Sequence, residues 1–291
     1  MKEFLSAVLS FKPTYRMWSF LFMTIIVELI LITGTFMNWH LRQIPGLVEF
    51  TFISFLASFI SHLSVTKQPK RLITLVIYFG LTGFLVDAVL INLDQFQFNI
   101  ERFSLFKTPL AQLLTWFFMC YAVFSTSSAL GILLQKGKIN YPLIGVFLLA
   151  FFDGFLLMGY SFLMEPVGVN EGTWTWLVDI PHKYYNIPFI VFFGYFIAMF
   201  LLSLPFRLFE SMRPVQERHL PFHVIIFSPI IFILLMILLI LNLIKLNLIV
   251  VTVIGGFITA CFLLIFLITA YTYLEAQKQE NQISIISNDI K

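Results

Sequence analysis

The stretch Phe222–Leu243 reads FHVIIFSPIIFILLMILLILNL. His223 is its one ionisable residue, and the apolar side chains run on without alternating with polar ones. As a helix it would rise about 33 Å at 1.5 Å per residue, enough to cross a hydrocarbon core of about 30 Å. Lipid offers the backbone no hydrogen bonds, so a spanning segment is either a helix or a strand of a closed barrel. Barrel strands are about ten residues long and alternate in polarity. This stretch is twice that length and unalternating, which predicts a transmembrane helix.

Seven further runs of the same kind flank it: Met17–Met37, Gly46–Val65, Leu72–Ile91, Thr108–Leu134, Tyr141–Met164, Ile187–Phe209 and Leu246–Tyr273. The predicted fold is therefore all-α, a polytopic transmembrane bundle of about eight helices. It forms one integral membrane domain over residues 1–291, with a polar tail expected to be disordered from about 276. Pro45, Pro109, Pro142, Pro188 and Pro221 stand at or near the starts of spans, where a helix has no use for the missing amide donor. The chain is 59% hydrophobic and 11% charged, with a mean hydropathy of +0.93. Soluble domains carry roughly a quarter charged residues, so a soluble globular fold is excluded. No internal repeat is evident.

Lys2 and Lys12 precede the first run, and no small-residue cleavage site follows it, which reads as an uncleaved first helix. The net charge of +3 is distributed as a topology signal, and no nucleic-acid partner is expected. Lys2, Lys12, Arg16, Lys67, Lys70, Arg71, Lys136, Lys138, Arg207, Arg213, Arg218, Lys278 and Lys291 fall on the side of the N-terminus. Arg42, Arg102, Lys107, Lys183 and Lys245 fall on the other. The bias of thirteen to five places both termini in the cytoplasm of a multi-pass cell-membrane protein, with membrane lipid as its first partner. Cys120 and Cys261 lie inside spans and read as packing residues.

A charge inside a span costs roughly 2.5 kcal/mol or more at mid-bilayer and asks for a reason. Four acids qualify: Glu28 and Asp153 near the middle of their spans, and Glu49 and Asp87 toward the outer ends. Glu165 caps the fifth span on the outer side. No lysine or arginine is placed deep enough to pair with the mid-span acids. Each acid either bonds a neighbouring helix and fixes packing, or serves as a desolvated general acid. The connection after the fifth span is the richest: Glu165-Pro166-Val167, then Trp174-Thr175-Trp176, then Tyr184-Tyr185-Asn186-Ile187-Pro188. Paired tryptophans often belong to an interfacial belt. The adjoining Glu-Pro is unexplained by that, and predicts a structured loop over the mouth of the bundle.

Glu165-Pro166-Val167, Trp174-x-Trp176 and Ile187-Pro188 together resemble the carotenoid biosynthesis membrane-protein family, which includes the carotenoid hydratases such as bisanhydrobacterioruberin hydratase. Upstream, Asp87, Asn92, Phe96, Phe98, Thr108-Pro109-Leu110 and Trp116 resemble the same family's first acidic block. Ser161 and Val191 stand where the family pattern has an aspartate and an asparagine. The resemblance, over roughly Phe79–Phe196, implies a cofactor-independent enzyme that hydrates the terminal double bond of a linear carotenoid, an isoprenoid. It implies Glu165 and Asp87 as catalytic acids, with Asp153, eight residues before Ser161, read as the stand-in for the missing aspartate, and Trp174, Trp176, Trp116 and Tyr160 as substrate-binding residues. The implied partners are an apolar polyene substrate and other carotenoid-pathway enzymes.

No metal site is expected. The five histidines, His40, His62, His182, His219 and His223, are too few for a histidine-box di-iron centre, and His219–His223 straddles Pro221. No phosphate-cradling or dinucleotide motif is present. The alternative to an enzyme is a proton- or cation-coupled transporter, or a lipid-binding subunit. Repeat symmetry and broken helices would favour transport.

Overall fold

A computed structural model of the chain describes residues 13–36, 47–65, 74–99, 104–134, 142–178, 181–212 and 222–289. The fold is all-α, 82% helical, with eight helices among the described residues. They are α1 (Pro13–Phe36), α2 (Leu47–Val65), α3 (Thr82–Asn92, entered through a π-helical stretch Val76–Leu81) and α4 (Ala111–Leu134). Then come α5 (Leu143–Asn170), α6 (Ile190–Ser211), α7 (Phe222–Ile225 and Phe227–Lys245) and α8 (Ile249–Asp289). Each coincides with one of the eight runs read from the sequence. Among the described residues, five stretches are long and apolar enough to cross a membrane: Gln112–Leu134, Leu143–Asn170, Ile190–Phe209, Phe222–Lys245 and Ile249–Ala276. Their exposed positions carry large apolar side chains such as Ile144, Ile190, Val253 and Phe257, as helices solvated by lipid do.

Two boundaries differ from expectation. The expected loop at Glu165-Pro166 is helix, and α5 runs on to Asn170. Proline removes one donor and clashes with the carbonyl four residues back, but it does not forbid one more turn. The tail expected to be disordered from about 276 continues as helix to Asp289. Its Glu-Ala-Gln-Lys-Gln-Glu run is made of good helix formers, and the Tyr271 hydroxyl donates to Glu275 one turn on at 2.7 Å.

The connections hold short strands. β1 (Phe96–Phe98) pairs antiparallel with β4 (Trp174–Trp176), with Phe96 opposite Trp176, Gln97 opposite Thr175 and Phe98 opposite Trp174. β2 (Ser104–Leu105) pairs with β3 (Thr108–Pro109), and β5 (Lys183–Tyr184) with β6 (Ile187–Pro188). The last two ribbons turn through Phe106-Lys107 (φ 52° and 63°) and Tyr185-Asn186 (φ 50° and 64°). Positive φ at both central residues is the turn that matches the twist of a tight hairpin.

These connections overturn the expectation of no internal repeat. The exit from α3 and the exit from α5 use the same bonds, 78 positions apart (93 to 171). Leu93 N–H donates to Val89 O, Asp94 to Ile91 and Gln95 to Leu90; Glu171 donates to Val167, Gly172 to Val169 and Thr173 to Gly168. Asp94 and Gly172 both sit at positive φ, the usual end of a helix. The Asn92 amide donates to Ala88 O at 2.7 Å, and the Asn170 amide to Pro166 O at 2.8 Å. Asn99 N–H donates to Thr173 O and Leu177 N–H to Gln95 O, so the paired strands are related by a local two-fold through Gln97 and Thr175. Backbone bonds set this repeat, and few of its side chains are identical, which hid it in the sequence.

The chain divides into two compact units. The first comprises Met1–Tyr121, Met164–Pro188 and Leu238–Ile249, and contains the β1–β4 ribbon. Its core includes Phe59 against Phe117, Phe118 and Tyr121, and His62 bonded to the Tyr121 hydroxyl at 2.8 Å. The second comprises Ala122–Leu163, Phe189–Ile237 and Val250–Lys291. There Phe162 stacks on Phe192 with ring centres 4.2 Å apart.

Candidate acid site

In the first unit two carboxyls are removed from solvent. Asp87 on α3 is 8% exposed and Glu165 on α5 is 2% exposed. Each accepts from tryptophan. The Trp116 indole N–H, on α4, donates to Asp87 Oδ2 at 2.8 Å. Trp174 and Trp176, on alternate positions of β4, both donate to Glu165 Oε2 at 2.9 Å. Alternation along a strand puts residues two apart on one face, so a Trp-x-Trp strand delivers two indoles to one acceptor. Trp176 lies 5.0 Å from Phe96 and Trp174 6.2 Å from Phe98, ring centre to ring centre, so the two indoles are backed by the phenylalanines of β1. Both carboxyls belong to the first unit.

Glycines make room for the indoles. A Cβ on Gly83 would lie 2.2 Å from the Trp116 ring, and one on Gly168 would lie 2.1 Å from the Trp174 ring. Neither approach is open to a larger residue. Gly83→Ala and Gly168→Ala are each expected to cost about 1–3 kcal/mol by overpacking. The displaced indole would leave its carboxyl, and the purified variant should denature earlier in detergent. Wild-type midpoints for both would show that the indoles are not held as described.

The carboxyl expected as a third member has partners of its own. Asp153, in the second unit, is fully buried and forms an ion pair with Arg207. Arg207 Nε donates to Asp153 Oδ2 at 2.7 Å and Nη2 to Oδ1 at 2.8 Å. Nη1 reaches Ser128 Oγ at 3.3 Å, Nη2 also reaches Phe124 O and Ser127 Oγ, and Ser127 donates to Asp153. The guanidinium lies 4.2 Å from the Phe124 ring centre. This corrects the expectation that no cation is deep enough to pair with a mid-span acid. Arg207 sits one turn inside the end of α6. Helical side chains lean toward the N-terminus, and the long stem carries the guanidinium back into the span. The charge of Asp153 is thereby matched by that of Arg207.

Of the other predicted residues, Tyr160 is half-buried on α5, and the side chains of Glu28 and Glu49 lie outside those described. Ser161 is fully buried and donates to Met158 O at 2.8 Å. His219 lies outside the described residues, and among those described no three His, Cys, Asp or Glu side chains gather as a metal site would need. Arg207, Ser127, Gly83 and Gly168 escaped sequence reasoning. The glycines carried one legible signal: Gly83 stands four residues before Asp87 and Gly168 three after Glu165, each one helical turn from its acid. Compared with known protein families, curated proteins and solved structures, the chain matches none.

Proposed function

We propose that this chain is a multi-pass cell-membrane enzyme, both termini cytoplasmic, that hydrates the terminal double bond of a linear carotenoid or related isoprenoid by acid catalysis. The observation that carries the reading is two buried carboxyls, Asp87 and Glu165, held by three indole N–H groups. Adding water to an unactivated trisubstituted alkene needs a carboxylic acid out of water, a nearby carboxylate and a surface that stabilises a cation. One carboxyl gives its proton to the alkene CH carbon, leaving a tertiary cation at the carbon bearing two methyls. Water bonds to that carbon, and the proton it sheds returns to a carboxylate. The sum is one alkene plus one water, with the acid restored and no cofactor consumed. The resemblance around Glu165-Pro166-Val167 and Trp174-x-Trp176 supports the same reading, and other enzymes of carotenoid synthesis would then be its functional neighbours.

The test is expression in a host that accumulates lycopene, with pigments profiled by mass spectrometry. A product heavier by one water, absent in a Glu165→Gln variant, is expected. Unchanged pigment with the chain well expressed in membranes would remove lycopene hydration. One observation favours a second reading, proton-coupled transport: the repeated helix-to-strand unit is the kind of symmetry carriers are built from. Proton flux in vesicles holding the purified chain, lost in Asp87→Asn, would favour that reading over hydration.

A further inference from the structure

Asp87 and Glu165 are 78 positions apart, the offset that relates the two helix exits, Asn92 to Asn170 and Phe96-x-Phe98 to Trp174-x-Trp176. A one-residue offset later, the second hairpins also coincide. Phe106-Lys107 matches Tyr185-Asn186 in its positive φ pair, and Pro109 matches Pro188. The first helical turns match too, with Leu113 N–H bonded to Leu110 O and Phe192 N–H to Phe189 O. We propose that Asp87 and Glu165 are equivalent positions of a duplicated helix–strand–hairpin–helix unit, and that the duplication has left them unequal. Asp87 carries the transferable proton at Oδ1, and Glu165 is the indole-clamped acceptor beside it. The division of roles rests on the acid-site reading above.

The inequality is in the donors. At Glu165 both strand aromatics are tryptophans, and both N–H groups converge on Oε2. The equivalent residues beside Asp87 are Phe96 and Phe98, which have no hydrogen to donate. Asp87 takes its one indole from Trp116 on the following helix, where the equivalent residue of the second copy is Tyr195. Trp116 occupies Oδ2 alone, so Oδ1 accepts no hydrogen bond from the described residues. Two like charges in one buried site repel, and a single proton held by the pair removes the repulsion. Two N–H bonds favour the anion at Glu165 more than one does at Asp87, so Asp87 is the better place for that proton, with Oδ1 as the oxygen that carries it. Its residual exposure gives it the access that Glu165 lacks.

Dicyclohexylcarbodiimide tests this without a known substrate. It is an apolar reagent that takes the proton of a carboxylic acid onto nitrogen while the carboxyl oxygen adds to its central carbon. The adduct rearranges to a stable N-acylurea, and an ionised or ion-paired carboxylate does not react. Membranes holding the full chain are treated with the reagent, and peptides are sequenced by mass spectrometry. The adduct is expected on Asp87, persisting in Glu165→Gln, with Asp153 unlabelled. Phe98→Trp, which supplies the strand indole that the first copy of the repeat lacks, is expected to lower labelling of Asp87 several-fold. Labelling of Glu165 in place of Asp87, or of neither, would overturn the division of roles. Undiminished Asp87 labelling in a folded Phe98→Trp variant would overturn the equivalence. A labelled Asp87 in a chain that makes no hydrated pigment leaves this proposal standing and removes hydration.

Discussion

Asp153→Asn loses about 3–5 kcal/mol of stability, read as an early denaturation midpoint in detergent and poor accumulation in membranes. The substitution is nearly isosteric, so the loss comes from charge and not from shape. It leaves the Arg207 guanidinium 4% exposed, with its bidentate carboxylate gone and only Ser127, Ser128, the Phe124 carbonyl and the Phe124 ring around it. Breaking a buried ion pair from one side costs far more than deleting it whole. Asp153→Asn combined with Arg207→Met should therefore recover most of the loss, because no charge is left behind. Asp153→Asn combined with Arg207→Lys should not recover it, since a buried cation is still left without a carboxylate. A single variant as stable as wild type would show that the pair does not hold the second unit together. A double variant worse than the single would point to a role for the pair beyond packing.

Asp87→Asn is expected to lower formation of the hydrated product by about 10²–10⁴-fold, the usual worth of a positioned acid. The amide keeps the shape and can still accept from Trp116, so expression and thermal midpoint should stay close to wild type. Trp174→Phe takes one of two donors from Glu165 and should cost less, on the order of tenfold, because Trp176 still holds the same oxygen. Activity of Asp87→Asn near the wild-type level would remove Asp87 as the proton donor. Equal losses for Asp87→Asn and Trp174→Phe with a lowered midpoint in both would mean that these contacts serve the ribbon's fold and not the chemistry.

The spacing of chemical groups along this chain explains what was legible and what was not. Glu165 and Asp87 stood out because a carboxyl in an apolar run needs a partner, and the sequence marks that need by composition alone. The tryptophans at 174 and 176 stood out by their alternation. Their convergence on one oxygen was not legible, because it depends on α5 continuing past Pro166 and on β4 turning back toward it. Asp153 was read as solitary because Arg207 is 54 residues away and was counted with the basic residues of a span end.

By itself the sequence determined the fold class, the eight helices and their approximate bounds, since a backbone in lipid must bond within its own segment and long apolar runs leave one way to do so. It also named the buried acids and their tryptophans. Only the tertiary structure decided which acid is paired with a cation, which are held by indoles, and that the two helix exits beside the acids use the same backbone bonds. Those outcomes rest on long-range pairing and on backbone bonds between unlike side chains, and neither leaves a periodic trace in a single sequence.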